Sequence, residues 1–91
     1  MCTIYNASSS FNNINSTIWT TYNTKILSIP CRHIRFDIAS SKNKYNPIWN
    51  ELDTDYTLID SVHPTSKGHT LLYDRALIDL SDVVTNLKQN N

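Results

Sequence analysis

The fold and the function of this chain depend on one stretch, Asp60-Ser61-Val62-His63-Pro64-Thr65-Ser66-Lys67-Gly68-His69. An acidic residue and a histidine, Asp60 and His63, lie three positions apart between two apolar segments, and a proline follows. Thr65 is a suitable N-cap for the helical pattern that comes next. A short loop that ends at a helix can direct both side chains the same way, as a carboxylate must do when it orients an imidazole acting as general base. Because this spacing also occurs by chance, the alternative is a capped loop that only starts a helix.

Length and charge exclude several classes of protein. With 91 residues, the chain corresponds to one small domain at most. The formal net charge is zero, so neither a basic surface for nucleic acid nor a polybasic segment for membranes is expected. No apolar run approaches the roughly 20 residues of a membrane span. The start shows no signal-peptide pattern, so the location is undetermined and is taken as cytoplasmic by default.

The cysteine and glycine contents limit which classes of protein this chain can belong to. Cys2 and Cys31 are too few and too irregularly placed for a disulfide scaffold or a zinc site, and we expect free thiols. Gly68 is the only glycine. One glycine is few for a complete α/β enzyme, whose tight turns and oxyanion loops need several. The composition therefore indicates that part of a larger fold is missing.

Hydrophobic spacing predicts the elements that come before this stretch. Residues 3–5 are expected to end a strand. A helix is predicted over about 9–27, because apolar residues recur at helical spacing: Phe11, Ile14, Ile18, Trp19 and Tyr22. Pro30 ends any helix there, since the residue before a proline avoids the α region. Residues 33–38 alternate polar and apolar side chains and predict a strand.

A long helix is predicted over about 66–88, directly after the loop 60–64. Its apolar stripe follows helical spacing through Leu72, Ala76, Leu80, Val83, Val84 and Leu87. Most of the charged residues of this segment lie off the stripe. The sequence therefore predicts a helix that packs one face against the rest of the chain.

The order strand end, helix, strand, Asp-x-x-His-Pro loop and long helix resembles the C-terminal part of the SGNH (GDSL-type) hydrolases. The resemblance implies an α/β fold in which residues 1–91 form a partial domain. That domain would be the C-terminal part of a three-layer α/β/α, flavodoxin-like sandwich. The resemblance also implies that His63 is the general base of a Ser-His-Asp triad and that Asp60 holds its ring in the correct tautomer. No cofactor and no metal are implied.

The family's other blocks are not found in this sequence. No serine follows Gly-Asp, and the glycine and Gly-x-Asn-Asp-like blocks of the oxyanion hole are absent. Ser8, Ser9 and Ser10 are poor substitutes for the nucleophile and suit helix capping better. We therefore expect the N-terminal strands and the nucleophile block to be missing and the chain to be inactive alone. In the complete enzyme the substrate would be an ester-type small molecule. An N-terminal complementing chain is the implied partner, and the unpaired strand edge is expected to be sticky.

Two other functions compete with a hydrolase fragment. The first is a non-catalytic, small α/β interaction module derived from the same fold. The second is a metal site formed by Asp60, His63 and His69, although Pro64 and the helix start make that grouping awkward. Structural or surface roles are expected for several other residues: Asp37, His33 and His69. Core positions are expected for three aromatic residues: Trp19, Tyr22 and Trp49.

Overall fold

The computed structural model describes residues 1–8, 16–83 and 85. This part of the chain contains three α-helices: α1 (Ser16–Ser28), α2 (Phe36–Ser40) and α3 (Ser66–Asp79). Extended segments connect them and meet in isolated β-bridges: Cys2 with Ile34 in parallel, and Ser41 with Leu52 and Leu58 with Pro64 in antiparallel orientation. None of the described helices is long and apolar enough to cross a membrane.

Helix α1 begins at Ser16, within the helix predicted over 9–27, while residues 9–15 of that prediction lie outside the described residues. Trp19 is buried, as expected, but Tyr22 is 57% exposed, so its predicted core position is wrong. The reason is that Asn23 takes the inward position one turn after Trp19, because its amide bonds the backbone of Ile4. Residues four apart share a helix face, so the neighbouring positions turn outward.

The strand predicted over residues 33–38 is wrong from Phe36 onward, where α2 begins. Only Ile34 pairs as a strand residue, in its parallel bridge with Cys2. The pairing stops because the next N–H on the same side, that of Phe36, donates to the Ile34 carbonyl at 3.1 Å as α2 begins. On the other side, the Arg35 N–H donates to the Asp79 carboxylate in α3 at 2.7 Å. One parallel bridge is not a sheet, so the flavodoxin-like sandwich stays a prediction.

Helix α3 starts at Ser66, where the sequence predicted a helix over about 66–88. Thr65 is its N-cap, and the Thr65 hydroxyl accepts the Gly68 N–H at 3.3 Å. The helix ends at Asp79, and a further helical turn follows at 81–83. Residues 84 and 86–88 of the prediction lie outside the described part of the chain.

Two small hydrophobic clusters form the core of the described part of the chain. The first contains Ala7, Trp19 and Trp49, and the second contains Ala39, Tyr56 and Leu72. The rings of Trp19 and Trp49 pack with centroids 5.8 Å apart. Leu58 packs against both clusters and joins them. The core is therefore built on aromatic side chains contributed mainly by loops, with one residue each from α1, α2 and α3.

A fully buried asparagine, Asn6, connects the N-terminal segment to the loop over residues 41–51. Its amide nitrogen donates to the Ser41 hydroxyl at 3.0 Å and to the Ile48 carbonyl at 2.7 Å. Its amide oxygen accepts the backbone N–H of Ala7 and that of Asn50, both at 2.9 Å. Because buried polar groups must be paired, this single side chain fixes the loop relative to the N-terminal segment.

Replacing Asn6 by Ala should therefore destabilise the chain strongly. The substitution leaves several buried donors and acceptors unpaired, and we expect a loss of about 3 kcal/mol in the free energy of unfolding. Urea unfolding followed by tryptophan fluorescence measures this loss. Thr54→Ala, in an exposed turn, is the control and should change stability little. A loss below about 0.5 kcal/mol for Asn6→Ala would contradict the role given to this residue.

Candidate active site

Asp60 and His63 are in direct contact. His63 Nδ1–H donates to Asp60 Oδ2 at 2.6 Å. The other carboxylate oxygen, Oδ1, accepts the backbone N–H of His63 at 2.7 Å and that of Val62 at 3.1 Å. Oδ1 thus holds the backbone of the loop, and Oδ2 bonds the imidazole ring. A carboxylate can only accept, so the neutral imidazole carries its proton on Nδ1 and leaves Nε2 as the basic nitrogen.

The same hydrogen bonds change the acidity of the carboxyl group. They lower the pKa of Asp60 to about 2, with the backbone N–H of His63 contributing most and the His63 ring next. Partial desolvation acts in the opposite direction and is outweighed. Asp60 is therefore ionised throughout the neutral range, as a group that stabilises an imidazolium must be.

The loop 60–63 is supported by backbone contacts on both sides. The Ser61 carbonyl accepts the Ser8 N–H at 3.0 Å, and the His63 carbonyl accepts the Ile59 N–H at 2.8 Å. Ser61 itself has a φ of 72°, in the left-handed region that is uncommon for residues other than glycine. The loop is thus held in one conformation by contacts outside the Asp60–His63 pair.

Gly68 allows α3 to pack closely under this loop. A Cβ atom at this position would lie 2.9 Å from the Thr57 carbonyl oxygen and 3.0 Å from Pro64 Cβ. Both neighbours belong to the ordered framework, so neither can move away cheaply. The only glycine of the sequence therefore sets the distance between the helix and the segment that carries His63.

The pair faces solvent. The His63 side chain is 70% exposed and that of Asp60 is 52% exposed. In water-like surroundings the electrostatic attraction between such groups is weak, and enzymes strengthen it by excluding water. The pair has the geometry of a base with its orienting carboxylate, and it lies on an open surface.

The other candidate residues are placed apart from this pair. Asp37 is buried and bonded by the guanidinium of Arg35 at 3.0 and 3.1 Å, which gives it a structural role. His33 Nε2–H donates to the Ile26 carbonyl at 2.8 Å, so this ring supports the chain after α1. His69 is exposed in the first turn of α3.

The metal-site alternative finds no support in the geometry. Among the described residues, no group of three or more His, Cys, Asp or Glu side chains is arranged to hold a metal ion. Cys2 and Cys31 are exposed free thiols. Asp60 and His63 are joined to each other, and their polar atoms are directed at one another instead of at a common centre.

The contact between Ser8 and the loop was not predicted from the sequence. It places the end of the N-terminal segment beside residues 60–63. Ser9 and Ser10, the other serines considered as substitutes for a nucleophile, lie outside the described residues. Asn6, two residues before Ser8, is fully buried, and its burial has no signature in a sequence rich in asparagine.

Comparison with known proteins assigns this chain to no family. No protein-family model, no curated protein and no solved structure matches this chain. The class of protein therefore rests on the residues and geometry described above, and it is a proposal.

The low pKa of Asp60 predicts how the loop responds to acid. A carboxyl pKa that is lower in the folded state than its ordinary value of about 3.9 means that the ionised group stabilises the loop above pH ~4. That contribution is lost as the pH falls from ~4 towards 2. The backbone N–H signals of Val62 and His63, followed by NMR, should titrate with a midpoint near the pKa of about 2. Asp60→Asn should remove the transition, and a midpoint near 3.9 would contradict the hydrogen-bonded carboxylate.

Gly68→Ala tests the packing under the loop. Helix propensity alone would favour alanine over glycine by about 1 kcal/mol. We expect the clash with Thr57 and Pro64 to outweigh this gain, with a net loss of about 1–3 kcal/mol in unfolding free energy. Urea unfolding measures the change, and His69→Ala at the next, exposed position is the matched control. Unchanged or increased stability of Gly68→Ala would show that α3 does not pack this closely.

Proposed function

We propose that this chain supplies the general base and the orienting carboxylate of a serine-hydrolase triad, as the C-terminal part of an SGNH (GDSL-type) hydrolase. The observation that carries the proposal is the 2.6 Å bond between His63 Nδ1 and Asp60 Oδ2. The second carboxylate oxygen is fixed by the backbone of the same loop. The complete site would hydrolyse ester-type small molecules.

The two residues have separate roles in that reaction. His63 Nε2 takes the proton of an attacking hydroxyl and returns it to the leaving alkoxide. Asp60 holds the ring with Nδ1 protonated and stabilises the imidazolium that forms in between. Its pKa of about 2 keeps the carboxylate charged while this happens.

The remaining parts of the site must come from elsewhere. The sequence has no Gly-Asp-Ser block, and nothing in it matches the family's oxyanion blocks. Removing one oxyanion donor from a complete enzyme costs about 2.7–4 kcal/mol of transition-state stabilisation. A base and its orienting carboxylate therefore do not make an efficient esterase alone. An N-terminal complementing chain would supply the nucleophile, the oxyanion donors and the surface that covers the exposed pair.

The alternative is a non-catalytic small α/β interaction module. It is favoured by the two hydrophobic clusters, in which Trp19, Trp49 and Tyr56 are buried by this chain's own residues. Because these three rings are covered within the chain, they need no second chain to bury them. The two functions differ in whether His63 acts on an ester.

Hydrolysis of p-nitrophenyl acetate by the purified chain distinguishes them. We expect slow hydrolysis without a burst, because His63, with its ring held by Asp60, acts as a base on an activated ester but no serine site forms an acyl-enzyme. The slow rate should fall in His63→Ala. It should also fall in Asp60→Asn, whose amide can donate to Nδ1 and reverse the tautomer.

His69→Ala is the matched control for this assay, since it removes an exposed histidine of the same chain. It should leave most of the hydrolysis intact. Equal rates in His63→Ala and the unmodified chain would contradict the role of His63 as a base. A stoichiometric burst that disappears in His63→Ala would show that a nucleophile is already present, and the incomplete triad would then be wrong.

A further inference from the structure

The N-terminal extended segment, residues 1–5, has two edges. Towards Ile34 it is paired, since the Thr3 N–H donates to the Ile34 carbonyl and the Ile34 N–H donates to the Met1 carbonyl, both at 3.0 Å. Backbone groups of successive residues in an extended strand point to opposite sides. The N–H and C=O of Ile4 therefore face away from Ile34, on the edge where further strands would add.

The outer edge at Ile4 is occupied by side chains of α1. Asn23 Oδ1 accepts the Ile4 N–H at 2.7 Å, and Asn23 Nδ2 donates to the Ile4 carbonyl at 3.2 Å. The indole N–H of Trp19 donates to the same carbonyl at 3.0 Å and to the Tyr5 carbonyl at 3.3 Å. A side-chain amide that bonds both backbone groups of one residue reproduces the donor–acceptor pair that a neighbouring strand residue would offer.

The two side chains that bond Ile4 are buried in the chain. Asn23 is 5% exposed and Trp19 is 3% exposed. Asparagine is a poor helix former, and burying its amide is costly unless every polar atom is bonded. Its inward position in α1 is explained by the Ile4 backbone, which satisfies its oxygen and its nitrogen together.

We infer that α1 is a built-in cap for this strand edge, with Asn23 taking the place of a neighbouring strand at Ile4. From the sequence, the unpaired strand edge is expected to associate with other chains. At Ile4 this edge is closed, and strand pairing there requires α1 to move away. A complementing chain that adds a strand at this edge must therefore displace α1.

Once the cap is released, the N-terminal extended segment of one copy can pair with the N-terminal extended segment of a second copy. The N–H and C=O of Cys2 face the same side as those of Ile4. Among the described residues, none bonds either of these two groups of Cys2. The edge then presents the unpaired backbone groups of Cys2 and Ile4, which form the usual template for edge-to-edge association. The cap over Ile4 therefore opposes association of two copies through this edge.

Asn23→Ala tests the cap, with Thr24→Ala at the neighbouring exposed position of α1 as the matched control. Analytical ultracentrifugation in reducing buffer should show concentration-dependent association of Asn23→Ala. The unmodified chain and Thr24→Ala should stay monomeric at the same concentrations. A folded Asn23→Ala chain that remains monomeric would overturn the inference.

Amide hydrogen exchange of the unmodified chain gives a second test that needs no variant. The Ile4 N–H should exchange about tenfold more slowly than that of Cys2, because Asn23 covers only the former. Equal exchange of the two amides would overturn the inference even if Asn23→Ala fails to fold. Neither readout depends on hydrolysis, so a failure here is separate from a failure of the proposed function.

Discussion

Buried backbone groups must be hydrogen-bonded. In the described part of this chain, side chains bond backbone N–H and C=O groups that the neighbouring strands of a sheet would ordinarily bond. Asn6 bonds the backbone of the loop over residues 41–51, and Asn23 bonds the backbone of Ile4. The hydroxyls of Ser40 and Ser41, both fully buried, accept or donate further bonds to this network. The arrangement keeps the extended N-terminal segment in a fixed place, although the strand pairing among the described residues consists of isolated β-bridges.

That fixed segment matters for the candidate site, because Ser8 follows Asn6 closely and bonds the loop 60–63 through Ser61. On the other side, Gly68 brings α3 against Pro64. The Asp60–His63 pair is therefore positioned by residues that have no chemical role themselves. Its exposure sets the limit on what it can do, since the same hydrogen bond is worth more in a site from which water is excluded.

The sequence predicted the local features and missed those decided at long range. The Thr65 cap and the contact between Asp60 and His63 each involve residues three positions apart, so spacing is informative. The outward position of Tyr22 follows from the bond between Asn23 and Ile4, 19 positions apart. The Arg35 N–H is bonded by Asp79, 44 positions away. Hydrophobic periodicity assigns an asparagine or an acidic residue to the surface. It therefore cannot anticipate that Asn23 or Asp79 turns inward to bond a backbone N–H.

In the proposed site, Asp60 holds His63 with its proton on Nδ1, so that Nε2 is free to act as a base. Long-range ¹H–¹⁵N NMR of the imidazole rings at a pH where His63 is neutral reports the tautomer directly. We expect His63 to be in the Nδ1–H form, Asp60→Asn to change this state, and exposed His69 to be unaffected by the same substitution. A His63 ring that is protonated on Nε2, or that shows the same tautomer mixture in Asp60→Asn, would show that Asp60 does not set the tautomer.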